Sequence, residues 1–305
     1  MKRTVFENAY AKINLLLDIS GIRADGYHLI DGIMQTVSLA DRVKVEFCEA
    51  PTTEIEIRIA GNDKIPADRS NLACRAADLY LERIEKTGMV KIALEKTIPA
   101  GAGLAGGSAD AAAVLRALNR LFDGRLNRED LCALGARLGA DVPFCVRGGA
   151  MRTEGIGEKL TPCAGLPPCA LVIAKADDLS FPTPAMYAEL DRIHDRFFGY
   201  PDPAPKAEKM IQVLRKGDLS GVCGRLENIF EGPAFQMEEG RVAAIKSNLL
   251  AYPGALGALM SGSGSAVFCI YQSKQEAKAA CRGLQSDGKI HAWVCEPISQ
   301  EFSIC

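Results

Sequence analysis

Residues Thr97 to Asn119 read TIPAGAGLAGGSADAAAVLRALN, in which Gly101, Gly103, Gly106 and Gly107 alternate with Ala100, Ala102, Leu104 and Ala105 behind Pro99, and Ser108 heads an Ala-rich helical stretch. Small side chains let backbone N–H groups come close to an anion, and the positive end of the helix that follows favours negative charge, so the chemistry this stretch suits is phosphate binding. Residues 101 to 106 also spell GxGxxG. The dinucleotide-binding fingerprint, however, needs a buried strand running straight into its first Gly. Here Glu95, Lys96 and Thr97 are polar and Pro99 cannot join a ladder. The Walker loop is excluded as well, because no Lys follows the glycines. The plain alternative is a connection closed by Ser108 as a helix cap, with the helix starting near that residue. Near-continuous Gly and Ala from Gly101 to Gly107 are more than a turn requires.

Three other places bring reactive types together. In AKINLLLDI, residues 11 to 19, the strand period of two sets Lys12 and Asn14 on one face and Ile13, Leu15, Leu17 and Ile19 on the other. Either the two polar groups share a site or the strand is simply half exposed. Asp141 precedes Val142 and Pro143. Proline disfavours helix in the residue before it, which predicts an aspartate where a helix yields to extended chain, either aiming a carboxylate or forming a turn or cap. In RADGYHLIDGIMQTV, Tyr27 and His28 stand side by side after a Gly turn, as a stacking surface for a base or as a loop anchor.

The elements that must position these groups follow from periodicity. The first 60 residues hold alternating runs such as VKVEF and TEIEIRIA, which predict antiparallel strands with one wet face. A helix from Asn71 (NLACRAADLYLERIEKTG), the strand VKIALEK, the long Ala-rich helix and a further helix at REDLCALGARLG come next. DVPFCVRGGAMRTEGIGE reads as a Gly-rich strand pair, and the Pro-rich TPCAGLPPC marks a boundary. Beyond it lie the strand ALVIAKA, helical stretches from about Pro184 to Leu250, and GALMSGSGSAVFCIY with a closing helix and strand. Strands and helices interleave without a repeated βαβ period, which favours α+β.

With 305 residues, 48% hydrophobic and 24% charged, the chain has ordinary globular composition and room for two domains. Thirty-six basic and 38 acidic side chains leave a net charge of −2, so no basic field points to nucleic acid or anionic lipid, and an anionic ligand needs a local site. No signal peptide and no apolar run of bilayer length are read, and eleven scattered cysteines without a CxxC pair fit a reducing, cytoplasmic setting.

Pro99 to Ala112 resembles the PxxxGLxxxS loop of the GHMP kinases, in the lengthened GLAGGSxDAA form of those acting on a cytidine diphosphate-linked methylerythritol. AKINLLL is similar to that family's first motif, GADVPF to the segment with its catalytic carboxylate, and MSGSGSAVF to its third glycine motif. RADGYHLI is similar to a cytidine-recognition motif that other GHMP kinases lack. The resemblance is strong near residues 11–32, 96–112, 138–149 and 260–268, and vague between about 190 and 250. It implies a two-domain α+β GHMP kinase fold, with a ribosomal-protein-S5-domain-2-like N-terminal domain over 1–165 and a ferredoxin-like C-terminal domain over 166–305. It further implies ATP-dependent phosphorylation of the 2-hydroxyl of the cytidyl methylerythritol in non-mevalonate isoprenoid precursor synthesis.

By the same resemblance Asp141 is the general base, Lys12 keeps it ionised and stabilises developing charge, and Asn14 lines the acceptor end. Residues 99–108 hold the ATP phosphates with Mg²⁺, Tyr27, His28 and Tyr187 meet the cytosine, and Asn71 and Lys96 line the adenine pocket. The bland readings are a core tyrosine for Tyr187 and ordinary surface residues for Asn71 and Lys96. Ala109 stands where the family often has a second serine, which leaves the hydroxyl that meets the metal open. Phosphoryl transfer asks mainly for positioning and charge stabilisation, which so few residues can supply. Two other readings are a GHMP kinase for homoserine, mevalonate or a sugar, against which DGYH argues, and a non-catalytic nucleotide sensor, against which the intact Lys12 and Asp141 argue.

Overall fold

The structure is a computed structural model that describes residues 3–193, 206–237 and 240–304. Its spine is one long antiparallel hairpin of β1 (Arg3–Ile22) and β2 (His28–Glu49), paired from Arg3 opposite Phe47 to Ile22 opposite His28 with register shifts between Tyr10 and Lys12, Asn14 and Leu16, and Ile19 and Gly21. β3 (Glu54–Ala60), α1 (Leu72–Arg83), β4 (Gly88–Glu95), α2 (Gly106–Leu121), α3 (Arg128–Ala136), α4 (Val142–Arg147), β5 (Ala150–Gly155) and β6 (Lys159–Pro162) complete the first half. The second half runs through β7 (Ala170–Ala176), α5 (Thr183–Ile193), α6 (Lys206–Arg215), α7 (Leu219–Cys223), β8 (Glu227–Asn228), α8 (Glu231–Met237) and α9 (Arg241–Leu250). β9 (Ala255–Met260), β10 (Val267–Tyr271), α10 (Lys274–Leu284), β11 (Ile290–Cys295) and β12 (Pro297–Ile298) close it.

The first sheet is ordered β3-β4-β2-β1-β8, with β5 and β12 also pairing with β2, and β6 with β5. Helix α2 packs across β1 and β2 and against α1, α3 and α4. Alanines at 109, 111, 112, 113 and 117 make that close approach possible, and the helix is buried almost all round, as expected for a core helix. The second sheet is antiparallel in the order β11-β7-β10-β9, and its βαββαβ chain order gives the ferredoxin-like arrangement. β7, read from the run ALVIAKA, is buried along its whole length. The larger apolar core gathers the first sheet and α2 and takes in Leu171, Ile173, Leu259, Phe268 and Ile270 of the second sheet, while the smaller one holds the alternate residues Val172, Ala174, Val267 and Cys269 together with Leu17 and Ile19 of β1.

Four expectations are corrected here. β3 pairs only with β4, and in parallel, because alternation records which face is wet and says nothing of the neighbour's direction. Helix α2 begins at Gly106, with Ala105 in the left-handed region as its cap residue, so Ser108 lies inside the first turn and caps nothing. Asp141 does not lead into extended chain: it precedes α4, with Pro143 in the first turn, where a missing N–H costs nothing. The two-residue strands β8 and β12, from beyond residue 166, rejoin the first sheet. Within the expected helical stretch from about Pro184 to Leu250, residues 194–205 and 238–239 lie outside the described residues, as does Cys305.

Candidate active site

A cleft of about 920 Å³ is lined from both halves of the chain, and every site residue expected from the sequence lines it: Lys12, Asn14, Tyr27, His28, Asn71, Lys96, Pro99 to Ser108, Asp141 and Tyr187. They arrive from β1, the hairpin tip, the start of α1, the end of β4, the glycine loop, the start of α4 and α5.

The loop is clasped from behind. Leu104 O accepts from Lys12 N (3.2 Å), Ala102 O from Ala266 N (3.2 Å), and Gly103 O from the Ser261 hydroxyl (3.0 Å). Gly101 and Gly103 have φ of +59° and +72°, and a Cβ on Gly103 would lie 2.0 Å from Ser261 O, so glycine is required there by packing against the third glycine motif. With those carbonyls occupied, the first-turn N–H groups of Gly106, Gly107 and Ser108 find no protein acceptor among the described residues and remain orphan donors at a helix start. That is the arrangement an anion completes.

Lys12 and Asn14 are 4% and 3% exposed, and Lys12 Nζ donates to Asn14 Oδ1 at 2.6 Å. Asp141, half-buried, starts α4 with a side chain that makes no capping bond. Among the described residues no ion pair within 4.0 Å joins it to Lys12. The two groups share the cleft, and the lysine is oriented by the asparagine.

Lys96 is neither a surface residue nor a lone pocket wall. Its ammonium, 3% exposed, pairs with both Asp41 and Asp110, and Asp41 Oδ1 also accepts from Ile98 N at 2.8 Å. Burial pushes the Asp110 carboxyl up; Lys96 pulls it back and the neighbouring Asp41 raises it again. Asp110 Oδ1 is buried with no hydrogen-bond partner. Asn71 spends its side chain on the start of α1, accepting from Ala73 N (2.9 Å) and donating to Pro66 O (2.8 Å), so what it offers the cleft besides is limited.

At the other end the His28 ring lies 4.7 Å from the Tyr187 ring, which meets Phe230 edge-on at 4.9 Å. His28 Nε2 is 2.7 Å from Asp191 Oδ1. Burial, with the Asp141 carboxylate nearby, pushes the Tyr187 phenol up to about 12. Tyr27 is 58% exposed, with the Arg23 guanidinium over its ring.

Sequence reasoning missed Asp41, Asp110, Phe230 and Asn228. The buried Asn228 donates to Met260 O (2.7 Å) and Gly262 O (2.8 Å), holding the third glycine motif in place. Asp110 sat in plain view inside GGSADAA; no local signal marked the others.

Models of two domain families match the chain, the N-terminal domain of the GHMP kinases over residues 71–149 and their C-terminal domain over 210–290. The 4-diphosphocytidyl-2-C-methyl-D-erythritol kinase of Alkaliphilus metalliredigens (strain QYMF) is 42% identical over 275 residues, 90% of each chain. The enzyme of the same name from Clostridium tetani (strain Massachusetts / E88) is 41% identical over 278 residues, 91% of this chain and 95% of that one. The crystal structure of a 4-(cytidine 5'-diphospho)-2C-methyl-D-erythritol kinase superposes with a TM-score of 0.78 at 38% identity, covering 96% of this chain and 99% of the other.

Proposed function

The chain belongs to the GHMP kinases, and we propose that it transfers the γ-phosphoryl group of ATP to the 2-hydroxyl of 4-diphosphocytidyl-2-C-methyl-D-erythritol, a step of non-mevalonate isoprenoid precursor synthesis. The observation that carries this reading is the single cleft holding the orphan N–H groups of the glycine loop, the Lys12–Asn14 pair, Asp141 and the His28–Tyr187 aromatic pair.

The loop N–H groups and the start of α2 receive the ATP phosphates. Asp141 takes the proton of the 2-hydroxyl as its oxygen bonds to the γ-phosphorus and the bond to the bridging oxygen of ADP breaks. Lys12, aimed by Asn14, faces the negative charge that spreads over the transferring group. His28 and Tyr187 hold the cytosine, which places the acceptor hydroxyl beside Asp141.

The residues present fit a magnesium ion. Among the described residues no three His, Cys, Asp or Glu gather to cage a metal, while the half-buried Ser108 hydroxyl lines the cleft beside the phosphate donors. That suits an ion carried mainly by substrate phosphates and water, and when bound it neutralises phosphate charge. Among the described residues no helix is long and apolar enough to cross a membrane. All ten described cysteines are free, which supports a reducing, cytoplasmic setting.

The reading is tested by steady-state kinetics with ATP and the cytidyl alcohol beside its uridyl analogue. A marked preference for the cytidyl compound is expected, because a site built to pair polar groups penalises the analogue that leaves them unpaired. Equal use of both would remove the role given to His28 and Tyr187.

A further inference from the structure

Arg116, on the inner face of α2, does not line the cleft and is 4% exposed. Its guanidinium reaches three ways. Nη1 donates to Cys145 O at 2.6 Å, Nη2 to Asn8 O at 2.9 Å, and Nε to Glu7 Oε2 at 3.4 Å. The fourth side, its flat face, is covered by the Phe302 ring at 4.8 Å, which in turn lies 5.3 Å from Tyr10.

The two carbonyls it holds and the arginine itself lie on three chemistry-bearing elements. Asn8 lies on β1, the strand of Lys12; Cys145 lies in α4, the helix that Asp141 starts; and Arg116 lies on the helix whose first turn receives phosphate. The link to Asp141 is short, since Cys145 N donates back to Asp141 O at 3.0 Å. Helix α4 has six residues, too few to hold its own direction, so the aim of Asp141 depends on what anchors the other end. A cation at the carbonyl end of a helix is also favourably placed in the helix dipole. The chain's last described residues finish the anchor: Phe302 N donates to Arg147 O at 2.7 Å, Arg128 pairs with Glu301 and donates to Phe302 O at 3.0 Å, and Gly148 leaves room for the Phe302 ring.

We propose that Arg116 is a positioning residue that fixes the spacing of Lys12, Asp141 and the glycine loop, with Phe302 as its cover. This rests on the phosphoryl-transfer reading above. A planar fork with donors in three directions has no substitute in lysine, whose ammonium is a single point of charge. Misplacing a catalytic group by about 1 Å can cost on the order of 10²-fold in rate, which sets the scale.

The test uses the full chain as Arg116→Ala, Arg116→Lys and Phe302→Leu, with kcat, KM for ATP and acceptor, and melting temperature measured for each. Arg116→Ala should lose about 10²-fold in kcat with both KM values within a few-fold of the parent. Guanidinium ion at non-denaturing concentration should restore part of that kcat while methylammonium does not, and Arg116→Lys should recover little. Phe302→Leu, which keeps an apolar cover and removes only the stacked ring, should lower kcat about 2- to 10-fold with unchanged KM. A wild-type kcat per folded molecule in Arg116→Ala, or guanidinium raising melting temperature without raising kcat, would overturn the proposal. If Arg116→Ala does not fold, Phe302→Leu decides, an unchanged kcat counting against it. Should the parent protein prefer another acceptor, the acceptor assignment fails while the same comparison on that acceptor still judges Arg116.

Discussion

Replacing Gly103 and Gly107 by alanine separates two reasons for a glycine in the same loop. At Gly103 the φ of +72° costs a side-chain-bearing residue roughly 1–2 kcal/mol, and the added Cβ would fall 2.0 Å from Ser261 O and 2.9 Å from Ser261 C. Both neighbours are backbone, so relief requires parting the loop from the third glycine motif, an overpacking cost of about 1–3 kcal/mol. The sum, about 2–5 kcal/mol, should lower the melting temperature by roughly 4–20 °C. Gly107 differs. Its Cβ would meet only Leu72 Cδ1 at 3.8 Å, and alanine in a helix is favoured over glycine by up to about 1 kcal/mol. Its methyl group would nevertheless stand where phosphate approaches the backbone, so Gly107→Ala should melt no lower than the parent and bind ATP about tenfold more weakly. Scanning melting temperature without nucleotide, where ligand does not contribute to stability, and measuring ATP affinity by calorimetry decides both. A parent-like melting temperature for Gly103→Ala would show that the loop does not need glycine there, and a destabilised Gly107→Ala that binds ATP normally would show that phosphate does not approach its backbone.

His28→Ala should raise the KM for the cytidyl substrate roughly 5- to 150-fold, the scale of one lost base-stacking partner, and leave that for ATP nearly unchanged; a parent-like cytidyl KM in a folded variant counts against base reading. Lys12→Ala should lower kcat by about 10²-fold or more while ATP still binds, and near-normal turnover would remove its role in charge stabilisation. The Asp110 carboxyl, raised by burial, gives a stability signature: as pH rises from the ordinary carboxylate range, the unfolded chain releases this proton before the folded one does, so the group's contribution is fully present at low pH and falls through the raised pKa. The melting temperature of the parent minus that of Asp110→Asn should therefore decrease between about pH 4 and 7, and a pH-independent difference would contradict the assignment.

What was legible in the sequence was local chemistry. A run of Gly and Ala before a helix announces an anion site because small side chains and orphan N–H groups act within a few residues, and Lys12 and Asn14 share a face because a strand repeats every two residues. What was hidden depended on neighbours far along the chain. Lys96 reads as a pocket wall, but of its two partners Asp41 lies 55 residues away and Asp110 one strand-to-helix connection on, so the buried ion cluster forms only in the fold. The setting of Asp141 differs from the expectation because proline, which disfavours helix in the residues before it, also suits a first helical turn, and here the second effect wins. The plain alternative, Ser108 as a helix cap, fails because the loop enters α2 through the left-handed Ala105. Asn228 could not be anticipated: β8 has two residues, too short for any periodicity, and its value comes from the carbonyls of Met260 and Gly262.

The acceptor is decided by a competition in which the protein and ATP meet an equimolar mixture of 4-diphosphocytidyl-2-C-methyl-D-erythritol, homoserine, mevalonate and galactose, with products followed by phosphorus NMR. One new phosphomonoester is expected, on the 2-oxygen of the cytidyl alcohol, with a rate for Asp141→Asn lower by about 10²-fold or more and ATP binding retained. Phosphorylation of another acceptor, or Asp141→Asn working at close to the parent rate, would contradict it.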